Sequence, residues 1–237
     1  MTGARDADRP LVAVVDYGIG NLHSAHKALE RMGADARLTA DAGLIADAAA
    51  VVLPGVGAFA ACMNALRTAG LERPVLDATS SGRPFLGICV GMQMLFTRSD
   101  EPGPDGVPVD GLGVIPGTVR WIPPGVKRPQ MQWNRLDVVH ADDPLLEGLG
   151  GADSAAGVDG GSDGGSDAAA WVYFVHSLHG VPDDPSVVAA TCDYGGPVNA
   201  AFRSGEVFAT QFHPEKSSAP GLRLLGNFVG VAAAVAA

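Results

Sequence analysis

A chain of 237 residues has room for one α/β domain or two small ones, and can bury roughly 70% of the surface its unfolded form exposes. Its hydrophobic content of 47% supports a packed core, while 16 basic against 26 acidic residues leave a formal charge of −10. That balance argues against a general nucleic-acid or anionic-membrane binder, since both need a basic surface, although local basic groups can still hold one phosphate. The opening MTGARDADRP is polar and has no apolar core of a secretory signal. LVAVVDYG (11–18) then reads as a buried parallel strand and its exit turn. In GNLHSAHKALERMG (20–33), Leu22, Ala25, Leu29 and Met32 recur at helical spacing, with Asn21 placed to cap the start and Gly33 to stop it. DARLT predicts a second strand, and AAVVLPG (49–55) a third that closes on Pro-Gly. AFAACMNALRTAGL reads as a helix, RPFLGI (83–88) as a fourth strand, and VGMQMLFTRS as a helix directly after it.

After residue 110 the pattern changes to short strand-like runs split by Gly and Pro: GLGVIPGTVRWI, QWNRLDVV, AWVYFVHSL, SVVAATCDY, VNAAFRSG and VFATQFH. PGLRLLGNFVGVAAAVAA closes the chain as a helix with Pro220 near its first turn. Its apolar end is short for a membrane span, and no stretch reads as the ~20 apolar residues a span needs. The predicted fold class is α/β: a doubly wound, mostly parallel sheet flanked by helices, with an added antiparallel or mixed section. We expect a single domain over 1–237. The Gly/Ser/Asp-rich stretch 148–170 is expected to be a mobile insertion loop, with a domain linker as the rival reading.

In doubly wound sheets ligands sit at the carboxyl ends of the strands, where Asp16, Pro54–Gly57 and Cys89 fall. Gly87-Ile88-Cys89-Val90-Gly91 has the G-x-nucleophile-x-G form of a strand-to-helix elbow. There the cysteine projects over the sheet edge, the Val90 N–H can donate to an oxyanion, and the helix N-terminus favours a thiolate. A buried structural cysteine is the alternative, and the reading preferred for Cys62 and Cys192. A nucleophile needs a base and the base an orienting group. His213-Pro214-Glu215 supplies both types two residues apart, or else a loop histidine beside a surface carboxylate. The Pro54-Gly55-Val56-Gly57 turn can offer backbone N–H groups, from Gly55 and Val56, to the same oxyanion, or be a plain connecting turn. It lacks the patterns of a phosphate loop. No metal is expected: His176 and His179, like His23 and His26, are three apart without a partner set. Three widely spaced cysteines do not form a disulfide framework, which suits a reducing cytoplasm.

With these pieces in place the chain resembles the class I (triad) glutamine amidotransferases, and within them the glutaminase subunits of histidine biosynthesis. The resemblance rests on DYGIGNLHS (16–24), PGVGAF (54–59), LGICVGMQMLF (86–96), GLGVIPG (111–117), MQWN (131–134), YFVHS (173–177) and QFHPEKS (211–217). It implies Cys89, His213 and Glu215 as a triad. It implies a glutamine pocket that includes Gly57, Gln93 and the backbone around His176, Ser177 and Leu178. No cofactor is implied. It also implies a (β/α)₈-barrel cyclase subunit as heterodimer partner, with Asn21, Met131, Trp133, Asn134 and Lys216 at or near the interface. The chain departs from the family at Gln130 and Gln132, where His and Gly are usual, and at Leu178, where Tyr is usual. Two rival functions share these motifs: the glutaminase of a different ammonia-using synthase, and a non-catalytic scaffold of the same fold.

Overall fold

The computed structural model describes residues 9–150 and 170–236. In chain order they form β1 (Leu11–Val15), α1 (Leu22–Arg31), β2 (Asp35–Thr39), α2 (Ala42–Asp47), β3 (Ala50–Gly55), α3 (Phe59–Thr68), α4 (Glu72–Ser80), β4 (Phe85–Cys89), α5 (Val90–Gln93) and β5 (Phe96–Ser99). There follow β6 (Ile115–Trp121), β7 (Gln130–Arg135), β8 (Asp137–Val138), β9 (Trp171–His176), β10 (Leu178–Pro182), β11 (Val188–Asp193), β12 (Pro197–Ser204), β13 (Val207–Thr210) and α6 (Ser218–Ala236).

The main sheet runs β2-β1-β3-β4-β13-β12-β11-β8. From β2 to β13 every pairing is parallel, and from β13 outward every pairing is antiparallel. The reason is visible in the residues. β1, β3 and β4 are apolar almost throughout, and nearly every residue in them is buried, as a sheet covered on both faces requires. The order places β3, β4 and β13 side by side, so residues 54–57, 89 and 211–215 emerge from neighbouring strands at one sheet edge. Two smaller sheets, β10-β6-β5 and β7-β9, supply the antiparallel and mixed section.

Several expectations change. The helix after Cys89 is one turn long and ends at Gln93, and Phe96–Ser99 is a strand that pairs parallel with β6. Phe96 is fully buried, packs edge-on to Phe202 at 5.3 Å, and fills the space left by the missing side chain of Gly180. That packing outweighs a helix-compatible sequence. α2 and α4 lie in segments for which the sequence reading had no element. Asn21 sits at the start of α1 but makes no side-chain cap. The strand expected over 170–178 breaks at Ser177 and resumes as β10. The expected insertion loop falls, from 151 to 169, outside the described residues, although β7 and β9 on its two sides do pair with each other.

α6 contains a stretch long and apolar enough, by length and composition, to cross a membrane. Its Leu224, Leu225, Phe228 and Ala232 are fully buried, and the Phe228 ring lies edge-on to Phe208 of β13. It is the core helix behind the strand that leads to His213.

Candidate active site

Cys89 ends β4 with φ 54° and ψ −112°, a conformation that costs a non-glycine residue of order 1–3 kcal/mol. The surroundings enforce it through close backbone contact. A Cβ on Gly91 would lie 1.9 Å from the Leu53 carbonyl oxygen, and one on Gly55 would lie 2.5 Å from the Gly91 nitrogen. The elbow is therefore pressed onto the end of β3, where Gly55 stands beside Cys89 in the sheet register. Cys89 is only 3% exposed, yet it lines a cavity of about 370 Å³. Because α5 has four residues, its summed dipole is small, and specific neighbours matter more. Gln211 Nε2 donates to Cys89 Sγ at 3.7 Å, and the His213 imidazole lies within electrostatic reach of the same sulfur.

The His213 side is braced from three directions. Its Nδ1 donates to Glu215 Oε1 at 2.9 Å, with both side chains about 2% exposed. Asn21 Nδ2 donates to the same oxygen at 3.1 Å, which explains why this asparagine does not cap α1. Ser217 Oγ donates to the His213 carbonyl at 2.6 Å and accepts from the Tyr173 N–H at 2.9 Å, tying the 3₁₀ turn at 214–216 to β9. Burial by itself would lower the imidazole pKa. The hydrogen bonds and charges of Cys89 and Glu215 outweigh it and push His213 up to about 9. Burial raises the Glu215 carboxyl, but its bond to His213 and the imidazolium charge win, so it is held below its ordinary value.

On the opposite wall, Gln93 Nε2 donates to the Leu178 carbonyl at 3.2 Å and to Gln211 Oε1 at 3.1 Å. A continuous relay thus runs from Leu178 through Gln93 and Gln211 to the Cys89 sulfur. His176 Nδ1 donates to the same Leu178 carbonyl at 2.7 Å, and burial lowers this histidine to about 4, so its ring is neutral. Among the described residues no group of three or more His, Cys, Asp or Glu side chains is arranged to hold a metal.

A strained cysteine, a carboxylate-oriented histidine beside it and a closed amide relay make an acyl-transfer site of the thiol type. A family model described as "Glutamine amidotransferase class-I" matches residues 13–231. The chain belongs to this family. It is 44% identical to the "Imidazole glycerol phosphate synthase subunit HisH" of Syntrophotalea carbinolica over 225 residues, covering 92% of this chain and 98% of that protein. It is 45% identical to the protein of the same name from Synechococcus elongatus, covering 96% of each. Among solved structures, that titled "Structure of PurLQS from Thermotoga maritima" aligns with TM-score 0.67 and 18% identity over 94% of this chain and 98% of that one. A "Crystal structure of glutamine amidotransferase" aligns with TM-score 0.66 and 22% identity over 93% and 98%. At these identities the two structures show the fold, an amidotransferase α/β sheet.

Of the amidotransferase residues read from sequence, Val56, Gly57, Cys89, Val90, Gln93, His176, Ser177, Leu178, His213 and Lys216 line the one cavity, and Glu215 stands directly behind His213. Gly55 packs beneath them against Gly91. The interface candidates divide. Met131 and Trp133 share an outward face of β7 and are 62% and 45% exposed, and Lys216 is exposed as well. Asn21 is bonded to Glu215 behind His213, and Asn134 Nδ2 donates to the Asp193 carbonyl at 2.8 Å. Sequence reasoning missed Gln211, Ser217 and Glu101. The first two lie inside QFHPEKS, two residues before and four after the histidine, but only the fold shows their contacts. Glu101 is the one carboxylate among the cavity's described lining residues and accepts from the Phe59 N–H at 2.6 Å.

The raised His213 pKa has a defined sign. The paired imidazolium stabilises the native state fully below its unfolded pKa, near 6.5, and that contribution disappears as pH rises through about 9. Glutamine hydrolysis is expected to hold up to about pH 9 and fall above it as His213 loses its proton. Glu215→Gln should move that alkaline limb to lower pH, which a kcat/KM profile of the two proteins would read.

Proposed function

We propose that this chain is the glutaminase subunit of an imidazole glycerol phosphate synthase, working in the cytoplasm with a (β/α)₈-barrel cyclase subunit. Cys89 and His213 on the wall of the 370 Å³ cavity, with Glu215 behind His213, carry the chemical part of the reading. The likeness to HisH subunits over nearly the whole chain supports the choice of pathway.

The Cys89 thiolate attacks the side-chain carboxamide carbon of glutamine. The tetrahedral oxyanion is held by the Val90 N–H and by one from the Gly55–Val56 turn. Imidazolium His213 gives its proton to the departing nitrogen, which leaves as ammonia. Neutral His213 then takes a proton from water, whose attack on the thioester releases glutamate and regenerates the Cys89–His213 pair. Glu215 fixes the imidazole tautomer and stabilises its charged form, with Asn21 fixing Glu215 in turn. Glu101 suits the α-ammonium of glutamine as the carboxylate on that wall. Gln93, Gly57 and the 176–178 backbone shape the rest of the pocket.

Met131 and Trp133 present the exposed apolar face that the barrel would cover, with Lys216 at the cavity mouth. Ammonia then enters the barrel and is used to form imidazole glycerol phosphate and an aminoimidazole carboxamide ribotide. Rotation of the 55–56 peptide would complete the oxyanion site only when the barrel is liganded, so the isolated chain should hydrolyse glutamine very slowly. The test is reconstitution with the barrel subunit and its phosphoribosyl substrate. Glutamine-dependent product formation, with glutaminase activity well above that of the isolated chain, is expected. A complex that forms product from free ammonia but not from glutamine would overturn the reading.

A further inference from the structure

The oxyanion turn is held from behind by two side chains that the chemistry above does not use. Cys62, in the first turns of α3, is fully buried, and its Sγ–H donates to the Val56 carbonyl at 3.2 Å. Tyr17, at the exit of β1 and 5% exposed, donates its hydroxyl to the Pro54 carbonyl at 2.7 Å, and its oxygen lies against both the Cys62 sulfur and Gly55. These bonds fix the peptide planes immediately before and after the Gly55–Val56 unit. Burial is the largest influence on both groups and raises both pKa values, so each keeps the proton it donates. Glu101 accepts from the Phe59 N–H and so anchors the start of α3, the helix that carries Cys62.

We propose that Cys62 is a positioning residue, acting with Tyr17 as a clamp on the peptide planes either side of the 55–56 peptide, so that when this peptide rotates its N–H meets the developing oxyanion of Cys89. The proposal rests on the glutaminase reading and adds a role for a cysteine that sequence reasoning took as packing. An S–H···O bond is weak, so its contribution lies in placement more than in stability. Losing an oxyanion donor outright costs about 10²–10³ in rate, and a misplaced one should cost less, about tenfold. The oxyanion exists only after attack, so the loss falls on kcat and leaves KM unchanged.

Cys62→Ala and Cys62→Ser separate this role from packing. Alanine and serine leave nearly the same space, but only serine can still donate to the Val56 carbonyl. Glutamine hydrolysis is measured on the complex with the synthase subunit, and amide hydrogen exchange across residues 55–58 on the chain alone. Cys62→Ala is expected to lower kcat about tenfold at constant KM and to speed exchange in the turn, and Cys62→Ser to restore both. Wild-type values in Cys62→Ala, or equal losses in both variants, would overturn the clamp. A wild-type complex without glutaminase activity would instead sink the proposed function, and the exchange comparison would then decide alone whether Cys62 holds the turn.

Discussion

Replacing Cys89 by alanine is expected to lower glutamine hydrolysis by the complex by about 10⁴–10⁶-fold, the range seen when a covalent nucleophile is lost while the binding site survives. No other group can substitute. The other described cysteines, Cys62 and Cys192, are buried, the first facing the Val56 carbonyl and the second near Gln130. His213 is engaged by Glu215, and water would have to attack a carboxamide directly. Alanine keeps the Cβ that makes the positive φ at position 89 costly, so the backbone strain of the elbow is unchanged. The variant should therefore fold and bind its partner as the native chain does. Ammonia-dependent synthesis in the complex should be unchanged, because free ammonia bypasses this subunit. Near-native glutaminase turnover in Cys89→Ala would end the triad assignment. Loss of the ammonia-dependent reaction as well would point to damaged assembly.

The parts of this site legible in sequence are those encoded locally. Gly87, Cys89 and Gly91 lie within five residues, and His213 and Glu215 within three, so spacing alone suggested an elbow and an oriented base. The parallel strands were legible for a similar reason, because a run such as Val12–Val15 must be buried on both sides. What stayed hidden depends on residues far apart in the chain. Asn21 looked like a helix cap because caps are local, but its partner Glu215 is 194 positions away. Gln211 looked like one more strand residue until the fold set it between Gln93 and Cys89. The helix expected over 90–99 stops at Gln93 because a short apolar run such as Met94–Phe96 fits a buried strand as well as a helix. Only the pairing of Phe96 with Ile115 decides between them. Cys62 reads as packing in sequence because nothing in its helix reveals the Val56 carbonyl six residues back.

Substituting Gly91 by alanine should produce the largest loss of stability among these residues, and the reason differs from the usual one for glycine. Gly91 lies within α5 and is not among the glycines with positive φ, so its dihedrals alone do not demand glycine. Helix propensity favours alanine there by about 1 kcal/mol. The obstacle is contact. The added Cβ would stand 1.9 Å from the Leu53 oxygen, 2.8 Å from the Leu53 carbonyl carbon and 3.1 Å from that of Pro54. These are backbone atoms of β3, held on both sides by β1 and β4, so no side chain can swing away. The two backbones must part, at a cost of about 3 kcal/mol or more once the propensity gain is offset. Parting them also moves the Val90 N–H and the Cys89 sulfur, for which a displacement near 1 Å is worth about 10² in rate. Gly57 is the informative contrast: its φ is +88°, yet a Cβ there would meet nothing within 4 Å. Gly57→Ala should cost only the left-handed conformation, about 1–2 kcal/mol. Urea unfolding of the two variants separates the mechanisms. If Gly57→Ala proved the more destabilising, backbone dihedral strain and not close contact would be what the elbow glycines relieve.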